Sequence, residues 1–297
     1  MSFAVEQEIT LLPFIMSSLK GVSRSHAKAV LAGGGVCVDD RPTKQFDEPL
    51  QPGQTVTIDR RPRATLTNKY VSIVYEDADI VVVEKQPGIL SMATSHHSFC
   101  IKSVLDEYFH RSKQSCTAHV VHRLDRETSG LLVYAKNLKA EQILEHNWHE
   151  IVTDRRYVAL VSGEMQPGLT GDVGSWLKDN KAYYTHSYTE DPGGAKYALT
   201  HYRVLDTGRG LSLVELKLAT GRKNQIRVHM LDLGHPVCGD TKYGDGTDPV
   251  GRLCLHAFRL NFYHPITGRP LSFETPVPKL FLKALGLDET SPKRQKN

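Results

Sequence analysis

The sequence lacks the features that mark several large classes of protein. Its 297 residues include no apolar run close to the ~20 residues that a membrane-spanning helix needs. The five cysteines are odd in number and none are spaced as C-x-x-C, which argues against a disulfide framework and a zinc ribbon. The N-terminus is acidic and has no apolar core, which argues against a secretory signal. These absences predict a cytoplasmic protein with no membrane partner.

The composition is that of an ordinary globular protein. Charged residues make up 24% and hydrophobic residues 40%, which disfavours long disorder, collagen and coiled coil. The formal net charge is 37 − 33 = +4. This small excess does not identify a nucleic-acid binder, but it is compatible with one if the positive charge is clustered. The length of 297 residues predicts about two domains.

The segment 10–60 has the pattern of a small α+β unit. Apolar residues at helical spacing predict a first helix, and Ser23 is a good N-cap for a second helix that three glycines end. Arg24 and Lys28 lie four residues apart, so both project from one face of that second helix. A solvated helix face is one interpretation of this pair. A basic run with proline, Arg60–Arg63, predicts a linker over 61–69.

From residue 70 to residue 285 the pattern changes to many short strands. The β-branched runs Val71–Tyr75 and Ile80–Val83, with an acidic turn between them, predict a hairpin. Further strands are predicted at 131–135, 157–162, 199–205, 211–218 and 253–263, and helices near 101–108, 140–148 and 224–233. Sequential strands with a few inserted helices predict an α+β fold with a mixed or antiparallel sheet. The segment 286–297 is predicted to be a polar tail.

The densest group of polar residues is His122-Arg123-Leu124-Asp125-Arg126-Glu127-Thr128-Ser129-Gly130, which leads directly into an apolar strand. Asp125 is closely flanked by Arg123 and Arg126. A carboxylate among guanidinium groups stays ionised and is held in a fixed geometry. The segment is therefore a candidate catalytic loop, and the alternative is a structural ion-pair network at the start of a strand.

A second polar group runs from Thr220 to His229, from a glycine turn onto a helix. Arg222 lies near the helix start, and Arg227 lies one turn further among apolar residues. A partly buried arginine needs a carboxylate partner, and we expect Asp125 to be that partner. A surface ion pair is the alternative. The glycines and the proline of a third segment, 234–244, indicate a loop of defined shape rather than a phosphate-binding loop. The chain has no G-x-x-x-x-G-K-[ST], which disfavours nucleoside triphosphate chemistry.

Two parts of the chain resemble known families. The helix pair, the Ser-Arg-Ser start, the glycine stop and the Pro-Gly-Gln-Thr-Val turn of segment 10–60 resemble the S4 RNA-binding domain. The segments 122–136, 220–244 and Leu255-His256-Ala257 resemble the RluA-type pseudouridine synthases, from about Val71 to Pro278. The sequence departs from that family at Gln86, inserted between lysine and proline, and at Asn224, where the family usually has histidine.

The resemblance implies isomerisation of uridine to pseudouridine in structured RNA. This reaction needs no redox equivalent and no energy input, so we expect no cofactor and no metal, and a monomer is the default expectation. Ribosomal RNA is the favoured substrate and tRNA the alternative. The implied catalytic residues are Asp125 as the essential carboxylate, Tyr157 as a ring that stacks on uracil and relays a proton, and Arg227 as the partner of the aspartate. Whether Asp125 attacks the sugar or assists deprotonation at C2′ stays open. The implied RNA contacts are Arg123, which enters the base stack, together with His122, Arg126, Arg222, Arg24 and Lys28.

Other functions fit the residues less well. A glycoside hydrolase needs two converging carboxylates, and Glu127 is the only nearby candidate for the second. Thr128-Ser129-Gly130 is not the G-x-S-x-G of a serine hydrolase. The histidine clusters lack a complete ligand set at zinc spacing. A non-catalytic RNA-binding module is the rival of a different class, and tritium release from C5-labelled uridine RNA distinguishes it from a synthase.

Overall fold

The computed structural model describes residues 1–19, 21–32, 34–39, 41–58, 66–93 and 99–287. Residues 61–65 of the predicted linker and the predicted polar tail beyond Leu287 lie outside this described part. Within it, no helix combines the length and the apolar character needed to cross a membrane.

Residues 1–58 form a unit with an apolar core of its own. The buried side of the first helix carries Leu11 and Ile15, and the second helix adds Ala27 and Leu31. Ser23 caps the second helix, because its hydroxyl accepts the His26 N–H at 3.3 Å. The elements are β1 (Ser2–Ala4), β2 (Ile9–Thr10), α1 (Leu11–Ser18), α2 (Arg24–Ala32), β3 (Val36–Val38), β4 (Arg41–Pro42), β5 (Pro49–Leu50) and β6 (Thr55–Ile58). The strands pair in the order β1-β6-β3-β4, with β2 on β5.

The second region is built around one large sheet. Its elements are β7 (Val71–Glu76), β8 (Ile80–Lys85), α3 (Ile101–Arg111), β9 (His119–Val120), β10 (Ser129–Ala135), α4 (Leu138–His146), α5 (Trp148–Ile151), β11 (Val152–Ser162), β12 (Thr170–Asp179), β13 (Thr185–Tyr188), β14 (Lys196–Gly208), β15 (Leu211–Leu218), α6 (Gln225–Asp232), β16 (Leu255–Tyr263), β17 (Pro270–Glu274) and α7 (Lys279–Leu285). The strand order is β13-β12-β14-β15-β11-β16-β10-β8-β7, with β17 on β16 and β9 on β10. The pairs are antiparallel except β10 with β16, so the predicted mixed α+β fold is confirmed.

Helices cover both faces of the sheet where it is most apolar. Apolar side chains of α3, α6 and α7 pack on one face with those of β8, β10, β11 and β15, and α4 packs on the other face of β8 and β10. Every residue of β10 is buried, which explains why its sequence is continuously apolar rather than alternating. The cleft described below lies at the end of β10 where the chain enters that strand.

In the large-sheet region the structure adds elements to the sequence-based assignment. These are the strands β9, β12, β13 and β17 and the helices α5 and α7, and β11 begins at Val152 rather than near Tyr157. β12 buries only Ser175 and Leu177, so its apolar pattern is too sparse to identify a strand. The predicted helix at 224–233 is α6, and it begins one residue later because Asn224 has the left-handed backbone conformation of φ 55°.

Candidate active site

A cleft of about 230 Å³ opens between three segments of the large-sheet region. These segments are the loop before β10, the middle of β11, and the turn before α6 with the first residues of that helix. The cleft is lined by Arg123, Leu124, Asp125, Thr128, Tyr157, Leu218, Gly221, Arg222, Lys223, Asn224, Gln225, Ile226, Arg227 and Leu255. The fold therefore brings together two of the polar segments that the sequence separates by about a hundred residues.

Asp125 lies on the loop that joins β9 to β10, and hydrogen bonds to Ser91 and within the loop hold this loop in place. The backbone N–H of the buried Leu124 donates to the Ser91 hydroxyl at 3.0 Å, and that hydroxyl donates to the Leu124 carbonyl at 2.9 Å. The N–H of Thr128 donates to the Asp125 carbonyl at 3.1 Å and closes a turn. The Asp125 side chain, 27% exposed, is thus presented to the cleft by a loop with little freedom.

Lys85 organises the same loop from a fully buried position at the end of β8. Its ammonium group donates to the carbonyls of Thr128 at 2.6 Å, Arg126 at 2.8 Å and Gln86 at 3.0 Å. Burial lowers the pKa of Lys85 to about 7. In the sequence Lys85 stands out only as the residue before the inserted Gln86, and its three carbonyl partners are visible only in the structure.

Gly130 lets the loop enter the sheet. Its φ is +116°, and a Cβ atom there would lie 2.2 Å from the carbonyl oxygen of Ala257. No side chain fits such a gap, because the conflict is with backbone that cannot move aside. The glycine at the end of the 122–130 segment therefore permits the close parallel approach of β10 and β16 that holds the loop over the cleft.

Arg227 has a different principal partner from the one predicted. Its Nε and one Nη donate to the two carboxylate oxygens of Asp240 at 2.6 and 2.7 Å, a bidentate pair. Asp125 is reached only by the other Nη, at 3.4 Å. Burial by itself lowers the pKa of Arg227, and the bonds to Asp240 more than reverse that shift. The expected pairing with Asp125 is therefore secondary, and Asp240 is a site residue that the sequence analysis missed.

Asn224 also holds Arg227 in place. Its side-chain carbonyl accepts from Arg227 at 2.9 Å, while its amide donates to the hydroxyls of Thr185 and Tyr243, each at 3.2 Å. The Arg227 guanidinium lies 5.0 Å from the centre of the Tyr243 ring. Asparagine tolerates the left-handed conformation better than most residues, so its presence before α6 is consistent with the local backbone.

Tyr157 closes one side of the cleft from β11 and is 6% exposed. Burial raises the pKa of its phenol, with the Asp125 charge adding to the effect and Arg155 opposing it. The hydroxyl is therefore protonated near neutral pH and is able to donate a proton. The register between β11 and β16 shifts between Arg156 and Tyr157, and the ring of Tyr157 lies in the cleft directly after this irregularity.

Among the other arginines predicted to contact RNA, Arg123 and Arg222 are exposed and line the cleft, whereas Arg126 does not. Arg126 donates to the Gly88 carbonyl at 3.2 Å. Within the described residues, no ion pair joins Asp125 to Arg123 or Arg126, and the Arg126 guanidinium lies 3.5 Å from Glu127 instead. The arginines that flank Asp125 in sequence therefore do not fix its geometry by an ion pair, as we expected, and the carboxylate is paired with Arg227.

His122 and the two basic residues of α2 lie outside the cleft lining. The Nε2 of His122 accepts the Val133 N–H at 3.0 Å, and its ring packs on Trp148 at 4.6 Å. Burial, reinforced by Arg155, lowers the pKa of His122 to about 3, so the ring is neutral. Arg24 and Lys28 are exposed on the N-terminal unit, with the Lys28 ammonium 5.4 Å from the centre of the exposed Phe46 ring.

One group of described residues has donor atoms close enough for a metal ion: Asp77 and Asp79 in the β7–β8 turn, with His264, which follows β16. Asp77 already accepts from the Tyr75 hydroxyl at 2.7 Å, from His264 at 2.9 Å and from two backbone N–H groups. These hydrogen bonds stabilise the β7–β8 turn and explain why the three side chains lie together. None of the three lines the cleft.

Comparison with known proteins places this geometry in context. A family model described as RNA pseudouridylate synthase matches residues 79–232. An uncharacterised RNA pseudouridine synthase of Bacillus subtilis, YjbO, is 35% identical over 253 residues, which cover 85% of this chain and 83% of that protein. Ribosomal large subunit pseudouridine synthase D of Neisseria meningitidis is 32% identical over 284 residues, covering 88% of this chain and 73% of the relative.

Two solved structures of pseudouridylate synthase domains are similar to this chain. Human RNA pseudouridylate synthase domain containing 4 superposes with a TM-score of 0.58 at 25% identity, covering 73% of this chain and 93% of the human chain. Human RNA pseudouridylate synthase domain containing 1 gives a TM-score of 0.57 at 29% identity, covering 72% and 86%.

Proposed function

The chain belongs to the RNA pseudouridylate synthase family and isomerises uridine to pseudouridine in RNA, and from this premise we propose that Asp125 is its essential carboxylate and ribosomal RNA its substrate. The observation that carries the assignment is the position of Asp125. Among the described residues that line the cleft it is the only carboxylate, and Tyr157 and Arg227 line the same cleft.

The reaction balances without an external reagent. The N1–C1′ bond of uridine breaks, a C5–C1′ bond forms, C5 releases a proton to solvent and N1 gains one. Asp125 supports either route that the sequence leaves open, attack on the sugar or proton removal at C2′, because both need an ionised carboxylate. The second carboxylate that a glycoside hydrolase would use is not supplied by Glu127, which faces Arg126 at 3.5 Å and does not line the cleft.

Arg227 and Tyr157 complete the proposed catalytic group. Arg227 is anchored by Asp240, so its remaining Nη approaches Asp125 from a fixed direction and stabilises the ionised carboxylate. The Tyr157 ring offers a flat apolar face for uracil, and its protonated hydroxyl is available to a ring atom during the isomerisation.

Arg123 and Arg222 are proposed to hold the RNA. A uridine within structured RNA must leave its stack to enter the cleft, at a cost of roughly a few kcal/mol. The Arg123 guanidinium is exposed at the edge of the cleft, where its plane can occupy the vacated position in the stack. Arg222, also exposed there, is placed to contact a phosphate.

The domain organisation is part of the same proposal. We assign residues 10–60 to an S4-like RNA-binding domain, 61–69 to a linker, 70–285 to the catalytic domain and 286–297 to a tail. The separate apolar core of residues 1–58 supports the end of this domain, whereas its start lies before residue 10, because Val5 belongs to that core and β1 pairs with β6. Ribosomal RNA is supported by relatives that are named ribosomal large subunit pseudouridine synthase D. A monomer in the cytoplasm stays a prediction.

Pseudouridine mapping in total RNA tests the substrate. Cells that lack this chain are compared with cells that regain the parental chain or the Glu127→Gln variant. We expect a site in large-subunit ribosomal RNA to disappear with the deletion and to return with both proteins. A lost site confined to tRNA would contradict the ribosomal assignment, and failure of Glu127→Gln to restore the site would support two catalytic carboxylates.

A further inference from the structure

The turn between β12 and β13, residues 180–184, presents two tyrosine rings to solvent beside the cleft. Tyr183 is 74% exposed and Tyr184 42% exposed. Contiguous exposed apolar surface that is rimmed by polar residues is characteristic of interaction sites, whereas single exposed apolar side chains need no explanation. We refer to these two residues, with Lys223 and Lys242, as the tyrosine platform.

Hydrogen bonds fix the backbone of the tyrosine platform. Tyr183 has a φ of +60°, which is unfavourable for an aromatic residue. The Asn180 side chain accepts the N–H of Tyr184 at 3.0 Å, and the Tyr183 carbonyl accepts the ammonium groups of Lys242 at 2.6 Å and Lys223 at 3.4 Å. Three side chains thus hold the backbone of this turn in a conformation that is unfavourable for Tyr183 and that leaves its ring exposed.

The platform is continuous with the cleft. Lys223 lines the cleft, and its ammonium group lies 5.4 Å from the centre of the Tyr183 ring. On the other side the Tyr184 ring contacts the Tyr243 ring at 6.0 Å between centroids, and Tyr243 in turn lies against Arg227. A chain that leaves the cleft along this edge passes directly over the platform.

The chemistry of the surface fits RNA. Lys181, Lys223 and Lys242 set against Asp179 give 3 − 1 = +2 charges around the two rings. A cationic surface with exposed aromatic faces is suited to a single-stranded nucleic acid, since phosphates pair with lysines and any base stacks on a ring.

We propose that Tyr183 stacks on an unpaired nucleotide next to the target uridine, with Lys242 and Lys223 beside the adjoining phosphate. This inference rests on the proposed function, because it assigns a further contact to the same RNA. It makes Tyr183 a binding residue that acts on affinity for RNA and not on the chemical step.

The test uses full-length protein and unfractionated RNA, labelled with tritium at uridine C5, from cells that lack this chain. Tritium release is measured against RNA concentration for the parental chain, Tyr183→Ala and Tyr183→Phe. Tyr188→Ala is the matched control, because Tyr188 is an exposed tyrosine of β13 outside the platform.

We expect Tyr183→Ala to raise the half-saturating RNA concentration about fivefold or more at an unchanged maximal rate, with the other two variants at parental values. Parental behaviour of Tyr183→Ala would overturn the proposal, and so would a lower maximal rate at unchanged half-saturation. Equal losses in Tyr183→Ala and Tyr183→Phe would replace stacking by a hydroxyl contact. Repeating the assay on separated ribosomal RNA and tRNA tests the proposed substrate independently of Tyr183.

Discussion

Replacing Asp125 by Asn separates a catalytic carboxylate from a structural one. The substitution keeps the shape of the side chain and removes its charge. An amide is neither a nucleophile nor a useful base at this position. If Asp125 acts as proposed, we expect turnover to fall by about 10⁴-fold, the loss typical of an essential catalytic group, so that no pseudouridine is detected even with enzyme in excess over RNA.

The structure sets the expected cost in stability. Asp125 is 27% exposed, and its contact with Arg227 is long, at 3.4 Å. Arg227 keeps two shorter bonds to Asp240 in the variant, so no buried charge loses its only partner. The free energy of unfolding should therefore fall by less than about 1 kcal/mol, typical of a weak and partly exposed ion pair. In a region of this size that corresponds to at most about 4 °C in melting temperature.

Two measurements decide the result. Single-turnover tritium release reports chemistry, and thermal unfolding reports stability, with Glu127→Gln as a control that should stay active. A stable Asp125→Asn variant that forms pseudouridine near the parental rate would refute the assignment. A fall of several kcal/mol in the free energy of unfolding would show that Asp125 is structural.

Further predictions follow from the contacts around the cleft and on α2. Asp240→Asn removes the bidentate carboxylate from Arg227, whose side chain is 13% exposed, and we expect urea unfolding to show a loss of about 3 kcal/mol, whereas parental stability would contradict the pairing. Burial lowers the pKa of Lys85 to about 7 from 10.5, so the folded chain binds fewer protons than the unfolded chain between these values. The buried ammonium destabilises the fold fully below pH 7 and progressively less towards pH 10.5, so the free energy of unfolding of the parental chain should rise over this range. Lys85→Met should remove this rise, and the same pH dependence of unfolding in both proteins would contradict the prediction. Replacing Arg24 and Lys28 by Ala should reduce the slope of log affinity for RNA against log salt by about 0.7 for each lost phosphate contact, and an unchanged slope would exclude such contacts.

Local sequence determines much of this protein. The apolar runs of β7, β8, β10 and β15 identify strands because each must be buried on one or both faces. Ser23 begins a helix because its hydroxyl caps the first turn. The string around Asp125 identifies the family because its residue types and order are specific to one chemistry, and the family model matches the region that contains it.

Only the tertiary structure decides which charged groups meet. Arg227 is 13 residues from Asp240 and 102 from Asp125, and the sequence gives no reason to prefer the nearer carboxylate, because the choice depends on how α6 packs against the loop that follows it. The same holds for Lys85, whose three carbonyl partners come together only when β8 and β10 pair. Tyr183 shows the limit most clearly: its exposed ring depends on a backbone conformation that its own residue type disfavours and that lysines distant in sequence hold in place.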